Sequence, residues 1–127
     1  MAVMNPRNVA ILVFDDVEVL DFAGPYEVFN AASEVADPPP FYVYAVGISD
    51  RPVLARGRFT VTPRYSAWDA PQADILVIPG GFGTRPLLKP ERLMAWIHEQ
   101  AGKVERLAGP AAHKLVVEEM EYNWSGI

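Results

Sequence analysis

The sequence predicts an α/β sandwich built on a mainly parallel β-sheet, with one small β-hairpin inserted into it. The first observation is a set of continuous apolar runs, such as NVAILVF at Asn8–Phe14 and ADILVI at Ala73–Ile78. Runs of this kind are typical of parallel strands that are covered on both faces. The second observation is that segments with helical periodicity lie between these runs, which gives the strand–helix alternation of an α/β fold.

The amino-terminal part opens with the strand Asn8–Phe14 and continues into a helix. Apolar residues recur at helical spacing after Leu20, and Pro25 suits a first helical turn, where its missing N–H leaves no bond unmade. We therefore expect a helix over Pro25–Val35. The proline run Asp37–Pro40 ends this helix and forms a stiff connection.

The next segment is predicted to contain three strands. FYVYAVG at Phe41–Gly47 is the second strand of the sheet. The runs Pro52–Arg56 and Arg58–Pro63 flank Gly57 and are expected to form the hairpin. The segment Tyr65–Gln72 is predicted to be a loop.

The carboxyl-terminal part repeats the pattern of strand and helix. The strand Ala73–Ile78 runs into a glycine turn at Pro79–Thr84, and Pro90–His98 has the apolar stripe of a helix. Gly109–Met120 is predicted to be one more helix, with Pro110 near its start. A chain of 127 residues is enough for one domain of this kind.

Charge and composition exclude several classes of function. The formal net charge is −5 and the isoelectric point is about 4.9, so the chain lacks the basic footprint that nucleic acid or anionic lipid requires. The first apolar run ends at Asp15 after a few residues, which is too short for a signal segment or a membrane span. We expect a cytoplasmic protein with neither nucleic acid nor membrane as a partner.

The residues that could bind metal or attack a substrate are few. None of the 127 residues is cysteine, so these residues supply no disulfide, thiolate ligand or cysteine nucleophile. The two histidines, His98 and His113, are expected at the surface. A short segment carries four carboxylates, a pattern more typical of a solvated loop than of a metal site: Asp15, Asp16, Glu18 and Asp21. No metal or cofactor is predicted, and three large aromatic side chains are expected in the core rather than at a ligand site: Tyr44, Trp68 and Trp96.

Two stretches go beyond these general patterns. They are VAILVFDDVEVLDFAGPYEVF at Val9–Phe29, with its most specific part at Leu20–Phe29, and DILVIPGGFGTRPLL at Asp74–Leu88. Both resemble the ThiJ/PfpI family of the class I glutamine-amidotransferase-like superfamily. The resemblance is greatest to the branch with isonitrile hydratase and the sensor-like halves of AraC-type regulators. It implies a flavodoxin-like three-layer sandwich, a small-molecule substrate or ligand, and a homodimer or larger homo-oligomer.

The resemblance also implies roles for individual residues. Asp21 matches the acidic partner of the family's nucleophilic cysteine and its acid/base group, and Gly80 and Gly81 match the turn whose backbone amides face that nucleophile. The cysteine itself matches no residue of this chain. The residues alone leave other interpretations open: Asp21 could cap a helix that starts near Gly24, and the glycines could form an ordinary strand-to-helix turn.

The tail Val104–Trp124 resembles the final helix of such domains. The strand, nucleophile turn, helix and further strands that the family places before this helix would then be missing, with a join near Lys103. One hypothesis is a cysteine-dependent hydrolase or lyase of isonitrile-hydratase type whose nucleophile lies outside these residues. Another is a non-catalytic binding protein, in which the lost strands leave open edges at Val9–Phe14 and Ile75–Ile78 and so favour an intertwined dimer. A third is the ligand-sensing half of a regulator.

Overall fold

A computed structural model of the chain describes residues 5–80 and 91–109. The segments with regular structure are, in chain order, β1 (Arg7–Leu12), α1 (Val19–Glu34), β2 (Phe41–Gly47), β3 (Val53–Ala55), β4 (Phe59–Val61), β5 (Tyr65–Ser66), β6 (Ile75–Val77), α2 (Glu91–Lys103) and β7 (Arg106–Ala108). No helix among the described residues is long and apolar enough to cross a membrane.

Five of the strands form one sheet in the order β5–β2–β1–β6–β7, and every neighbouring pair in it is parallel. The strands β3 and β4 form a separate antiparallel hairpin around Gly57, whose φ of 74° is one that glycine adopts without strain. The expected mainly parallel sheet and its hairpin are confirmed.

Each face of the sheet is covered by a different helix. The crossover from β1 to β2 runs in one direction along the sheet and the crossover from β6 to β7 in the other, so right-handed connections place α1 and α2 on opposite faces. Side chains of Ala45 and Val77 line cavities together with α1, whereas Ala10 lines one together with Trp96 of α2. We call these the α1 face and the α2 face.

The core lies on both faces of the central strand. Val9, Ile11, Leu12 and Val13 are fully buried there, as the continuous apolar run predicts. Tyr44 is 1% exposed, which confirms it as a core residue. Trp96 is half-buried and packs against the core, in line with the prediction, whereas Trp68 is half-buried and lies outside the core cluster.

The first helix begins earlier than predicted. It starts at Val19 rather than Pro25, and Pro25 lies inside it. Since Pro25 has no N–H to donate to the carbonyl of Asp21, one helical hydrogen bond is absent there. The helix forms despite this because its sheet side is buried through Phe22 and because Ala23 and Phe29 pack against the core.

The edges predicted to be open are covered. β1 pairs with β2 on one side and β6 on the other, and β6 pairs with β1 and β7. The prediction of exposed apolar edges at Val9–Phe14 and Ile75–Ile78 was therefore wrong. Arg106–Ala108 supplies the strand that satisfies the second edge of β6.

This strand also corrects the prediction for the tail. The segment after Lys103 does not enter a helix: Arg106–Ala108 is extended, and Gly109 has a φ of 112°, outside the helical region. The predicted helix beyond Gly109, together with Gly81 and His113, lies outside the described residues. A smaller correction is that Tyr65–Ser66, expected to be loop, pairs with β2 as a short edge strand.

Candidate functional site

The carboxyl ends of β6 and β7 meet the first turn of α1 at one edge of the sheet. Gly80 connects them through both of its backbone groups: its carbonyl accepts a hydrogen bond from the Glu18 amide at 3.0 Å, and its amide donates to Asp21 Oδ2 at 3.3 Å. The second bond is long for an N–H···O contact. These two bonds fix the position of the Asp21 carboxylate relative to the sheet.

A cleft of about 330 Å³ opens beside this carboxylate. We call it the Asp21 cleft. It lies on the α1 face, and its lining consists of Leu20, Asp21, Pro25, Phe29, Val77, Ala108 and Gly109. Apart from the single carboxylate, the lining side chains are apolar. The cleft therefore suits a small molecule that exchanges a proton or forms a hydrogen bond at one point.

The far wall of the cleft depends on a close contact between two backbone segments. The Ile78 amide donates to the Ala108 carbonyl at 2.7 Å, and the chain then turns at Gly109. A Cβ atom on Gly109 would lie 2.2 Å from the Ile78 carbonyl oxygen, and the φ of 112° disfavours other residues as well. Only glycine fits at this turn, which directly follows the strand that lies beside β6.

The structure excludes one interpretation of Asp21, namely that it caps the helix. Glu18, and not Asp21, is the residue before the helix, and Asp21 lies in the first turn. A negative charge in that turn is stabilised by the helix dipole. Asp21 is thus not the helix cap, and its carboxylate is half-buried at the mouth of the cleft.

Gly80 follows β6 by three residues, and its amide is already paired. It donates to Asp21, so it orients the carboxylate in this structure. Gly109 was not singled out as a site residue from the sequence. Its signal, a lone glycine between a short polar strand and a proline, is common in ordinary turns.

The other carboxylates of the predicted solvated loop anchor the hairpin. Asp15 Oδ1 accepts the amide of Leu54 at 3.0 Å, and Glu18 forms an ion pair with Arg56. No group of three or more potential metal ligands occurs among the described residues. A larger cavity of about 610 Å³ runs along α1 on the same face and includes Phe22, Tyr26 and Arg64, but none of the residues that the sequence singles out.

Three tyrosines lie on the α2 face and around its edge. The Tyr44 hydroxyl donates to the Pro71 carbonyl at 3.0 Å, and burial together with the charge of Asp74 raises the pKa of Tyr44 to about 12. The hydroxyls of Tyr42 and Tyr65 are 2.7 Å apart, and this hydrogen bond raises the pKa of Tyr42. These groups lie away from the Asp21 cleft.

Comparison with known proteins decides the family. The profile of the DJ-1/PfpI family matches residues 7–112. The chain belongs to the DJ-1/PfpI family. Within the family, it is 28% identical over 110 residues to an isonitrile hydratase of Pseudomonas putida, a match that covers 87% of this chain and 46% of that protein. The chain therefore spans about half the length of this curated relative.

Solved structures of the family share the fold. A ThiJ/PfpI family protein from Pseudomonas syringae superposes with a TM-score of 0.77 at 20% identity, over 89% of this chain and 46% of that one. Drosophila melanogaster DJ-1beta gives a TM-score of 0.70 at 18% identity, over 89% of this chain and 60% of that one. At these identities the likeness establishes the flavodoxin-like fold alone.

Proposed function

We propose that this DJ-1/PfpI domain binds a small molecule in the Asp21 cleft and that Asp21 is the acid/base group of an isonitrile-hydratase-like reaction. The observation that carries the proposal is the position of the Asp21 carboxylate, oriented by the Gly80 amide at the mouth of an apolar cleft. The 28% identity to an isonitrile hydratase, which extends over 87% of this chain, supports the choice of reaction.

The chemistry of isonitrile hydration fits one positioned carboxyl group. The reaction adds water to R–N≡C and gives the formamide R–NH–CHO, so the terminal carbon gains both an oxygen and a proton. A carboxylic acid can deliver the proton to this carbon, and the resulting carboxylate can accept one from the attacking nucleophile. Apolar walls favour binding of the uncharged substrate.

The proposal has two forms, which differ in whether a nucleophile is present at the cleft. The 127 residues contain no cysteine, so a thiolate could come only from outside this sequence. In the second form the domain binds its small molecule without converting it, as a sensor would. We further propose that the chain is one incomplete family domain joined near Lys103.

The first experiment is the intact mass of the purified protein. A mass near 14.0 kDa means that the polypeptide ends with these residues, and cysteine catalysis within one chain is then excluded. A clearly larger mass would contradict the proposal that the chain is a single incomplete family domain. The protein is next incubated with an alkyl isonitrile, and the formamide is measured by NMR.

Asp21→Asn tests the acid/base role in the same assay. The amide keeps an acceptor for the Gly80 N–H but cannot ionise, so formamide production should fall by about 100-fold or more. Glu34→Gln, the same change at the exposed end of α1, is the matched control and should leave the rate unchanged. Equal rates in the Asp21 variant and the wild type would contradict catalysis by Asp21.

If no turnover occurs, the binding form makes its own prediction. Isonitrile should shift the amide NMR signals of Gly80 and Ala108 in a saturable way, and Asp21→Ala should weaken this response. Shifts that do not saturate, or that spread evenly over the chain, would contradict a binding site in the Asp21 cleft.

We also propose that the protein is a homodimer. Open strand edges no longer support this, but α1 exposes large apolar side chains on its outer side: Leu20 is 82% exposed and Val28 is 67% exposed. Light scattering at micromolar concentration should give twice the monomer mass, and Val28→Lys should shift it towards the monomer. A wild-type monomer would contradict the proposal.

A further inference from the structure

A second cavity lies on the α2 face, on the other side of the sheet from the Asp21 cleft. It has a volume of about 420 Å³, within the range of small-molecule sites, and we call it the Trp groove. Its lining consists of Ala10, Ala67, Trp68, Ala70, Pro71, Gln72, Ala73, Trp96, Glu99 and Gln100. Neither the sequence patterns nor the family assignment attaches a role to it.

Small side chains create the space. Ala10 lies in the middle of β1 and is 2% exposed, so its methyl group contributes little volume over the sheet. Three more alanines, in the segment between β5 and β6, line the groove: Ala67, Ala70 and Ala73. Larger side chains at these positions would occupy the groove, because protein interiors are normally closely packed.

Two indole rings form adjacent walls. The ring centroids of Trp68 and Trp96 are 6.5 Å apart and their planes are 78° apart, so the rings contact edge to face. This arrangement leaves no slot between them for a third ring. It forms a corner, in which a flat ligand can stack on one indole while the other closes the side.

The orientation of the Gln100 side-chain amide identifies the polar end of the groove. Gln72 Nε2 donates to the Ala73 carbonyl at 3.0 Å, and this bond requires nitrogen at that position. The same nitrogen is 2.9 Å from Gln100, so the Gln100 atom facing it must be the acceptor, Oε1. The Gln100 amide nitrogen therefore points elsewhere, and it has no hydrogen-bond partner among residues 5–80 and 91–109.

The hydrogen bond to Gln72 and the packing of the side chain hold this amide in place. Gln100 is only 9% exposed, and it lines the groove. No buried side-chain nitrogen or oxygen among the described residues lacks a hydrogen-bond partner, so the Gln100 amide nitrogen is reached by water, and a ligand group that accepts from it can replace that water. An oxygen acceptor on a ligand is such a group.

The charges around the groove favour a neutral ligand. No lysine or arginine is among its lining residues. Its one carboxylate, Glu99, is bonded to Lys103 Nζ at 2.6 Å on the exposed side of α2, so its charge is already compensated. An anionic or cationic ligand would lose its hydration without gaining an opposite charge.

We infer that the Trp groove binds an uncharged aromatic molecule that carries a carbonyl oxygen, with the ring in the corner of Trp68 and Trp96 and the oxygen on the Gln100 amide. This site is independent of the proposed acid/base reaction. It lies on the opposite face of the sheet and shares no residue with the Asp21 cleft.

Three compounds that share a benzene ring test this inference: benzamide, benzylamine and benzoate. Each is titrated into the full chain in a Trp124→Phe background, so that the fluorescence comes from the other two of its three tryptophans, Trp68 and Trp96. Benzamide should quench or shift the emission with saturation in the millimolar range or below. The charged compounds should bind about fivefold or more weakly.

Gln100→Met tests the role of the donor, since the side chains are similar in size but methionine has no N–H. Affinity for benzamide should fall about fivefold, the effect of one lost hydrogen bond. His98→Gln, at an exposed position on the same helix that does not line the groove, is the control and should leave benzamide binding unchanged. Isonitrile turnover or binding at the Asp21 cleft should be unaffected by both variants.

An NMR titration keeps the inference testable if Gln100→Met does not fold. In the wild type, benzamide should shift the indole N–H signals of Trp68 and Trp96 and leave the Gly80 amide unmoved. Preference for benzylamine, full affinity in the Gln100→Met protein, or indole signals that do not respond to benzamide would each overturn the inference.

Discussion

The Asp21 cleft and the Trp groove lie on opposite faces of one sheet and are built from different kinds of atoms. The cleft depends on the backbone: the two groups of Gly80, and the close approach of Gly109 to Ile78. The groove depends on side chains that α2 and the segment before β6 bring together. The parallel strands therefore fix the position of the Asp21 cleft, whereas tertiary packing of individual side chains forms the Trp groove.

The largest expected effect comes from filling the backbone contact at the cleft. Gly109→Val should lower the free energy of unfolding by about 3–4 kcal/mol, because its Cβ would overlap the Ile78 carbonyl and the backbone conformation would be strained. Urea denaturation measures this. Gly102→Ala is the control, since no atom lies within 4 Å of the added Cβ and the residue is in the last turn of α2.

That control should stabilise the protein slightly, by about 0.5 kcal/mol or more, because alanine favours the helix. In the fraction of Gly109→Val protein that remains folded, benzamide binding should be unchanged. Loss of both sites in the folded variant would show that the cleft and the groove are not independent.

The next effect concerns the helix that carries the groove. Ile97 is 1% exposed under α2, so Ile97→Ala should cost about 2–4 kcal/mol of unfolding free energy. The looser helix should weaken benzamide binding more than isonitrile binding. His98→Ala, at the exposed neighbouring position, should change stability by less than about 0.5 kcal/mol. Equal weakening at both sites would contradict the separation of the two faces.

A smaller effect is expected at high pH on the α2 face. The pKa of Tyr44 is about 12 in the folded state against 10.0 when it is exposed, so between these values the unfolded chain loses a proton that the folded chain keeps. The contribution of Tyr44 to stability is therefore fully present below pH 10 and is lost as the pH rises towards 12.

Tyr44→Phe separates this contribution from other titrating groups. The wild-type urea midpoint should fall more steeply than that of the variant over this pH interval. Below pH 10 the variant should be less stable than the wild type by about 1 kcal/mol, because the hydrogen bond from the Tyr44 hydroxyl to the Pro71 carbonyl is lost. Parallel pH profiles would show that Tyr44 does not titrate as inferred.

The smallest effect is expected at the exposed pair on α2. Glu99→Gln removes the ion pair with Lys103, four residues along the helix, and should cost at most about 0.5 kcal/mol. The cost should vanish in high salt. A loss of more than about 1.5 kcal/mol of unfolding free energy would contradict the description of Glu99 and Lys103 as an exposed ion pair.

Much of the fold could be predicted because its signals are local. FYVYAVG predicted β2 with the observed bounds, and Gly57 marked the hairpin. The start of α1 could not be predicted, because Pro25 normally marks a first turn and only packing on the sheet keeps it inside the helix. β7 was missed because its three residues, Arg106–Ala108, lack an apolar pattern and become a strand by pairing with β6.

The two candidate sites differ in the same way. Asp21 could be singled out as a candidate because it lies within a stretch that resembles the family. Gln100 was not, because its partner Gln72 lies 28 residues away and no local pattern records their contact. In the sequence, Trp68 and Trp96 look like core residues. Only the fold shows that alanines leave space beside them.

The position of β7 has a consequence for hydrogen exchange. β1 has a strand on each side, so its amides should exchange last, on global unfolding. β7 is three residues long and, among the described residues, pairs on one side only, so it should open at a lower free energy. Since Ala108 and Gly109 form one wall of the Asp21 cleft, this wall can detach and reform while the rest of the sheet stays intact, and ligand binding should slow exchange at β7 first.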